Sequence, residues 1–389
     1  MYLIPAHICL SFVYGAVAPF LSILVYNLGY SKAIVGIILA LFEGTGIFGP
    51  FLLGRLADRH GKYKWCLILA LVLIIIPAMP LALFAKPAAS AILIAVLAIG
   101  FRSTTPLLEA ITSINTGATG NYGKIRVTGS IAFVCYVLLM QWIPVLKPGT
   151  AWNIAFWMAV TSVFSIIVIA FLPFQTVTQK PAGNDSDGGK TNGSIWTPYL
   201  ILGLVCIALS RLSMTPAYYF LSLFMIEKMN WNAVGVVWAL ASLSEIPFLY
   251  ISSRVIRRFG APRVLVFSSA MVAVRCALYA LFPFKAGIIA AQLLHSFCFG
   301  LFHPAAISFI SGCVPQRQRS FGMNVYLSLG TALPLFVGNF AGGFIVEYAG
   351  YRPLFAVFSV FPVLGALIYI LGIRALTPPA GPKLDPQNR

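Results

Sequence analysis

Apolar residues run along this chain in long blocks, cut by short segments that carry charge, Gly and Pro. A helix needs about 20 apolar residues to cross the hydrocarbon of a bilayer, and these blocks have that length. The breaks predict twelve helices, over residues 3–26, 33–53, 65–85, 90–112, 126–146, 152–173, 197–226, 232–252, 263–283, 286–312, 320–345 and 351–373. The longest polar segment, 175–195, is rich in Gly, Ser and Asp and reads as a flexible cytoplasmic linker. It separates an N-terminal six-helix bundle (1–174) from a C-terminal one (196–375), followed by a cytoplasmic tail (376–389). The expected fold is an all-α membrane protein of twelve transmembrane helices.

The most informative break is Gly54–Lys64, a basic turn between the second and third helices. Asp58 and Arg59 lie where the apolar run ends, Gly61 permits the chain to reverse, and Lys62 and Lys64 follow. A weaker copy spans Ser253–Arg263, with Gly260 199 residues after Gly61, close to half the chain. One helical unit is used twice.

Composition excludes a soluble globule: 60% of residues are hydrophobic and 9% charged, against about 25% charged in soluble domains. The net charge of +17 does not indicate nucleic acid, because Lys and Arg are scattered singly between apolar runs and form no basic face. The seven cysteines show no paired spacing, and buried thiols are expected rather than disulfides or a zinc site. The first apolar run has no cleavage site and reads as a retained span. With the Gly54–Lys64 turn in the cytoplasm, that side collects 17 Lys and Arg against six opposite. A multi-pass inner-membrane protein with both termini cytoplasmic follows.

Three arginines remain inside spans, Arg102, Arg211 and Arg275, together with Glu43, Glu109, Glu245, His295 and His303. An ionisable group at the centre of a membrane helix costs about 2.5–3.5 kcal/mol on insertion scales. So many of them point to a polar cavity and to transport. Glu43 and Arg102 read most simply as a structural ion pair or as side chains reaching an interface. Glu109, deep in the fourth span, and Arg126, opening the fifth, are candidates to hold a hydroxyl-rich or charged solute, with a plain salt bridge as the alternative. Glu245, Arg275 and His295 come from three successive spans and supply a carboxylate, a fixed cation and an imidazole, the groups reversible protonation requires. His303, about 12 Å further along its helix, either extends a proton path or sits at a kink before Pro304.

These residues resemble the major facilitator superfamily. Gly54-x-x-x-Asp58-Arg59-x-Gly61-Lys62-x-Lys64 is similar to the superfamily signature between helices 2 and 3, with its weak copy between helices 8 and 9. The run Tyr122–Phe133 resembles the start of helix 5 in lactose, nucleoside and phenylpropionate permeases. Leu294–His303 resembles helix 10 of the phenylpropionate group. The resemblance implies two six-helix bundles related by a pseudo-two-fold axis and moving by alternating access, with Gly54, Asp58, Arg59, Gly61, Lys62 and Lys64 as a conformational latch. It implies substrate contacts at Glu109 and Arg126, and sugar and proton roles for Glu245, Arg275 and His295. Phe133 takes the place of the sugar-stacking Trp of lactose permease, and Cys298 the place of a second acid on helix 10. Arg211 is the further substrate candidate and favours an anion; His303 joins the proton set. Helix 5 lacks the Gly-x-x-x-Gly-Pro run of antiporters in the superfamily.

The expected function is secondary active transport: proton-coupled import of an aromatic acid, a sugar or a nucleoside. A uniporter or antiporter of the same fold, and a solute receptor that moves nothing, are the alternatives. No Ser–His–Asp spacing, metal cluster or phosphate loop suggests an enzyme, and no cofactor or metal is expected. The expected partners are the solute, protons and the bilayer, and the expected state is a monomer.

Overall fold

The computed structural model describes residues 3–116, 122–143, 149–174, 196–315 and 318–375. The linker at 175–195 and the tail at 376–389 lie outside the described residues. Among the described residues, twelve helical spans follow one another: α1 (Ile4–Tyr26), α2 (Lys32–His60), α3 (Tyr63–Leu83), α4 (Pro87–Asn115), α5 (Tyr122–Trp142), α6 (Ala151–Phe171), α7 (Pro198–Met229), α8 (Val234–Phe259), α9 (Ala261–Leu281), α10 (Lys285–Cys313), α11 (Phe321–Ala349) and α12 (Tyr351–Ile373). Among the described residues, all but α5 are long and apolar enough to span a bilayer, and α5 is apolar over Val127–Trp142. A near-total helix content is what lipid demands, because a helix satisfies its backbone groups within itself.

The chain forms two compact units. The first holds α1–α6 with Thr215–Leu243 and Leu335–Leu354. Within it α4 packs on α2 and α3, and α6 on α1 and α3, while α1 also packs on α5. The second holds α7 up to Met214, Ser244–Pro334 and α12 from Phe355, with α9 and α11 packed on α10. Its apolar core includes Ile207, Leu265, Phe302, Ala305, Ile310 and Tyr326.

The basic turn is shorter than its sequence suggests. Gly54–His60 and Ser253–Phe259 are helical, so α2 and α8 run seven residues past the predicted ends. Their charged side chains are solvated where the helix leaves the apolar layer, and continuing the helix keeps the backbone N–H groups paired. The reversal is confined to Gly61 and Gly260, at φ +65° and +82°. A Cβ is strained at such angles, which is why the repeat preserves these two glycines. Gly61→Ala is expected to cost about 1 kcal/mol and to lower the thermal midpoint of the purified protein. An unchanged midpoint would place the reversal elsewhere.

Among the described residues, three helices change winding within their length. Pro216–Phe220 in α7, Ser296–Leu301 in α10 and Ser328–Ala332 in α11 are π-helical. Pro216 has no N–H to give the preceding turn, so the α ladder cannot continue unbroken there. Such segments rotate the side chains that follow and concentrate at functional sites. The thiols follow expectation at Cys9, Cys66, Cys206, Cys276 and Cys298, which are buried; Cys313 is half-buried and Cys135, on the outer face of α5, is exposed.

Candidate functional site

In the second unit α9 carries Arg275, 2% exposed, and its guanidinium reaches Tyr279, Gln292, His295 and Met214. Nε donates to Tyr279 Oη at 2.9 Å, Nη2 to Gln292 Oε1, and Nη1 approaches both His295 Nδ1 at 2.8 Å and Met214 Sδ at 3.9 Å. Tyr279 in turn donates to Gln292 at 3.2 Å. On the far side of the ring, His295 Nε2 lies 3.3 Å from Glu245 Oε2 of α8. Three of the four predicted proton-coupling residues, Arg275, His295 and Glu245, therefore meet, with the imidazole standing between cation and carboxylate.

His295, Phe299 and His303 recur at intervals of four along α10 and stack ring on ring. Their centroids are 5.6 and 5.3 Å apart and their planes within 10°. His303 Nδ1 is 2.8 Å from Tyr326 Oη of α11, and Arg211 Nη2 of α7 donates to the same oxygen at 3.1 Å. Arg211 is buried, with its guanidinium over Phe302 and Phe299 at 4.9 and 5.6 Å. The structure thus surrounds Arg211 with aromatic rings and a phenol.

In the first unit, Glu109 is half-buried on α4. Arg126 belongs to the first turn of α5, and its side chain lies outside the described residues. Phe133 is buried on α5, packs with Val134, Val137 and Ala239, and meets Tyr14 edge-on at 5.9 Å. Glu43 of α2, only 2% exposed, accepts from Arg102 Nη2 of α4 and from Tyr219 Oη of the π-helical segment in α7.

At the basic turn, Tyr63 donates to Asp58 at 2.5 Å, and Lys64 Nζ donates to the carbonyls of Ala170 and Leu172 at the end of α6. Lys64 thereby caps a helix terminus whose carbonyls carry negative dipole charge. Gly54 has open space above its Cα, and Gly61 makes the reversal before Lys62, with Arg59 exposed beside it.

The opposite end of this unit is closed by contacts that ionisable-residue spacing does not reveal. Glu227 of α7 accepts from Tyr26 at 3.0 Å and Tyr351 at 2.5 Å, and pairs with Lys32 at 2.7 Å. The Lys32 backbone N–H donates to Glu347 of α11 at 2.6 Å. One turn inward α2 and α11 touch backbone to backbone: a Cβ on Gly36 would lie 2.6 Å from Gly343 Cα and from the Asn339 carbonyl oxygen. Asn339 is fully buried, and among the described residues its side-chain amide atoms have no hydrogen-bond partner. Sequence reasoning also missed Tyr219, Tyr279, Gln292 and Tyr326, because a scan for charges passes over the neutral groups that hold them.

Similar proteins share this architecture. A nucleoside transporter, NupG, superposes with a TM-score of 0.81 at 17% identity, over 95% of this chain and 100% of that one. The xylose transporter XylE from E. coli superposes at 0.72 and 14% identity, over 96% and 95%. In sequence, the chain is 25% identical to a maltose permease of Geobacillus stearothermophilus over 368 residues, covering 92% of this chain and 91% of that protein. It is 24% identical to a probable 3-phenylpropionic acid transporter of Escherichia coli over 359 residues, 87% and 89% of the two chains. A model of the MFS_1-like family matches residues 7–357. With twelve apolar helices, the doubled glycine turn and ionic side chains inside the spans, this chain is a multi-pass membrane transporter belonging to the MFS_1-like family.

Proposed function

We propose that the protein moves a small organic solute inward across the cytoplasmic membrane together with protons, by alternating access. The observation that carries this reading is the order Arg275–His295–Glu245. A guanidinium has only N–H groups to offer, so His295 Nδ1 accepts and the ring hydrogen sits on Nε2, facing Glu245. A second ring hydrogen would have to point at the guanidinium. A proton reaching the cluster is therefore taken by Glu245, and His295 holds that carboxylate at a fixed distance from Arg275. Glu245 then fills the role that a second acid would have at Cys298. The stack leads along α10 from His295 to His303 and the Arg211–Tyr326 pair, with the Phe299 ring separating the two imidazoles.

Glu109, Arg126, Phe133 and Arg211 remain the candidates for contact with solute. The relatives' names span a sugar, an aromatic acid and a nucleoside, the three classes expected from the resemblance. Alternation is supported by the α2–α11 seam, which is built for close approach yet buries the unpaired amide of Asn339. An unsatisfied buried amide costs about 1–3 kcal/mol, which hydration on opening would relieve. Asp58, Arg59, Lys62 and Lys64 would latch the other end, with Gly54 and Gly61 giving the turn its shape. The basic residues around that turn favour a cytoplasmic position for it and for both termini.

Reconstitution into proteoliposomes with an inward proton gradient tests the reading, using maltose, uridine and 3-phenylpropionate as probes. Accumulation of one of them above its external concentration is expected. Binding with no internal accumulation would make the protein a receptor.

A further inference from the structure

The Glu43–Arg102 pair is more than a structural ion pair. Arg102 sits mid-span on α4, yet its side chain is 32% exposed. A guanidinium facing hydrocarbon at that depth is strongly disfavoured, so this face borders water. Thr105 and Pro106 on the same helical face are exposed and Glu109 is half-buried, so Arg102 shares its accessible stripe with the predicted substrate residue. Tyr14 of α1, 41% exposed, lies against Phe101 at 5.2 Å and Phe133 at 5.9 Å, and the Arg102 guanidinium covers Phe42 at 5.2 Å. The Arg102 guanidinium and the Tyr14 ring are thus accessible, while the Glu43 carboxylate and the rings of Phe42, Phe101 and Phe133 beside them are buried.

One hydroxyl already occupies the polar part of this site. Tyr219 Oη accepts from Arg102 Nη2 at 3.4 Å and donates to Glu43 Oε1, bridging the two charges. It is delivered by the π-helical turn Pro216–Phe220, where rewinding the helix by one residue would turn it away. The vacated position requires a group that donates to a carboxylate and accepts from a guanidinium at once. An alcohol hydroxyl does both. A carboxylate ligand has no hydrogen to give Glu43 and would be repelled by it.

We infer that Glu43 and Arg102 form a substrate subsite for a solute hydroxyl, which displaces the hydroxyl of Tyr219, while the exposed ring of Tyr14 borders the rest of the molecule. The solute is then a neutral polyhydroxylated molecule, a sugar or a nucleoside rather than an aromatic acid. This inference rests on the transport reading for its biological meaning, but its test reads binding alone.

The test measures dissociation constants of the purified full-length protein for a panel of mono- and disaccharides, nucleosides and 3-phenylpropionate. A hydroxylated probe is expected to bind. Glu43→Gln should weaken it about 10- to 100-fold, as loss of a charged hydrogen-bond acceptor does. Tyr219→Phe, which keeps the ion pair and the ring, should tighten it severalfold because the competing hydroxyl is gone. Binding of 3-phenylpropionate alone, binding of no hydroxylated probe, or a Tyr219→Phe protein whose affinity is unchanged or weaker would overturn the inference. A protein that binds the hydroxylated probe as expected but accumulates nothing would fail as a transporter and keep this subsite.

Discussion

Gly36→Val is expected to slow transport about 100-fold while leaving the protein inserted and able to bind solute. The added Cβ would lie 2.6 Å from two backbone atoms of α11, the Gly343 Cα and the Asn339 carbonyl oxygen. Neither can move aside as a flexible side chain would. Overpacking of this kind costs up to about 3 kcal/mol, or roughly 100-fold in the equilibrium for closing the seam. The arrangement in which α2 and α11 touch would become a minor state, and a cycle that must pass through it would slow by the same factor. Uptake in proteoliposomes, compared with solute binding in detergent, checks this; uptake at the wild-type rate would show that the seam never closes during turnover.

The second large effect is expected at Glu245. Glu245→Gln keeps a carbonyl oxygen to accept from His295 Nε2, so the Arg275–His295 geometry survives, but the group that takes the proton is gone. Concentrative uptake should fall to the equilibrium level. Solute-for-solute exchange across the membrane, which needs no net proton movement, should continue within about threefold of the wild-type rate. Equal loss of both would assign Glu245 to solute binding or to folding instead.

How much of this was legible in the sequence follows from what each signal measures. The spans are readable because hydropathy over about twenty residues reports the cost of leaving lipid, and that cost sets the helix ends in α1, α9 and α12 to within about two residues. The Gly61 and Gly260 reversals are readable because only a positive φ demands that residue at both places. The ends of α2 and α8 are not, since a helix can continue into water on charged residues. The π-helical turns in α7, α10 and α11 are equally hidden, because their residues are as apolar as their neighbours. Arg275, His295 and Glu245 could be anticipated as a set, since buried charges must find one another. Their supports could not: Gln292, Tyr279 and Tyr326 are neutral, and only the folded arrangement shows that each fixes a charged neighbour. The same limit left Glu43 and Arg102 as a bare ion pair until Tyr219 appeared beside them, from 176 residues further along the chain.

The most direct measurement records proton and solute flux together in lightly buffered proteoliposomes with the membrane potential clamped at zero. Adding the transported solute outside should draw protons inward with it and alkalinise the external medium, and the signal should vanish in Glu245→Gln. Solute accumulating in the wild-type protein without any change in external pH would contradict the account.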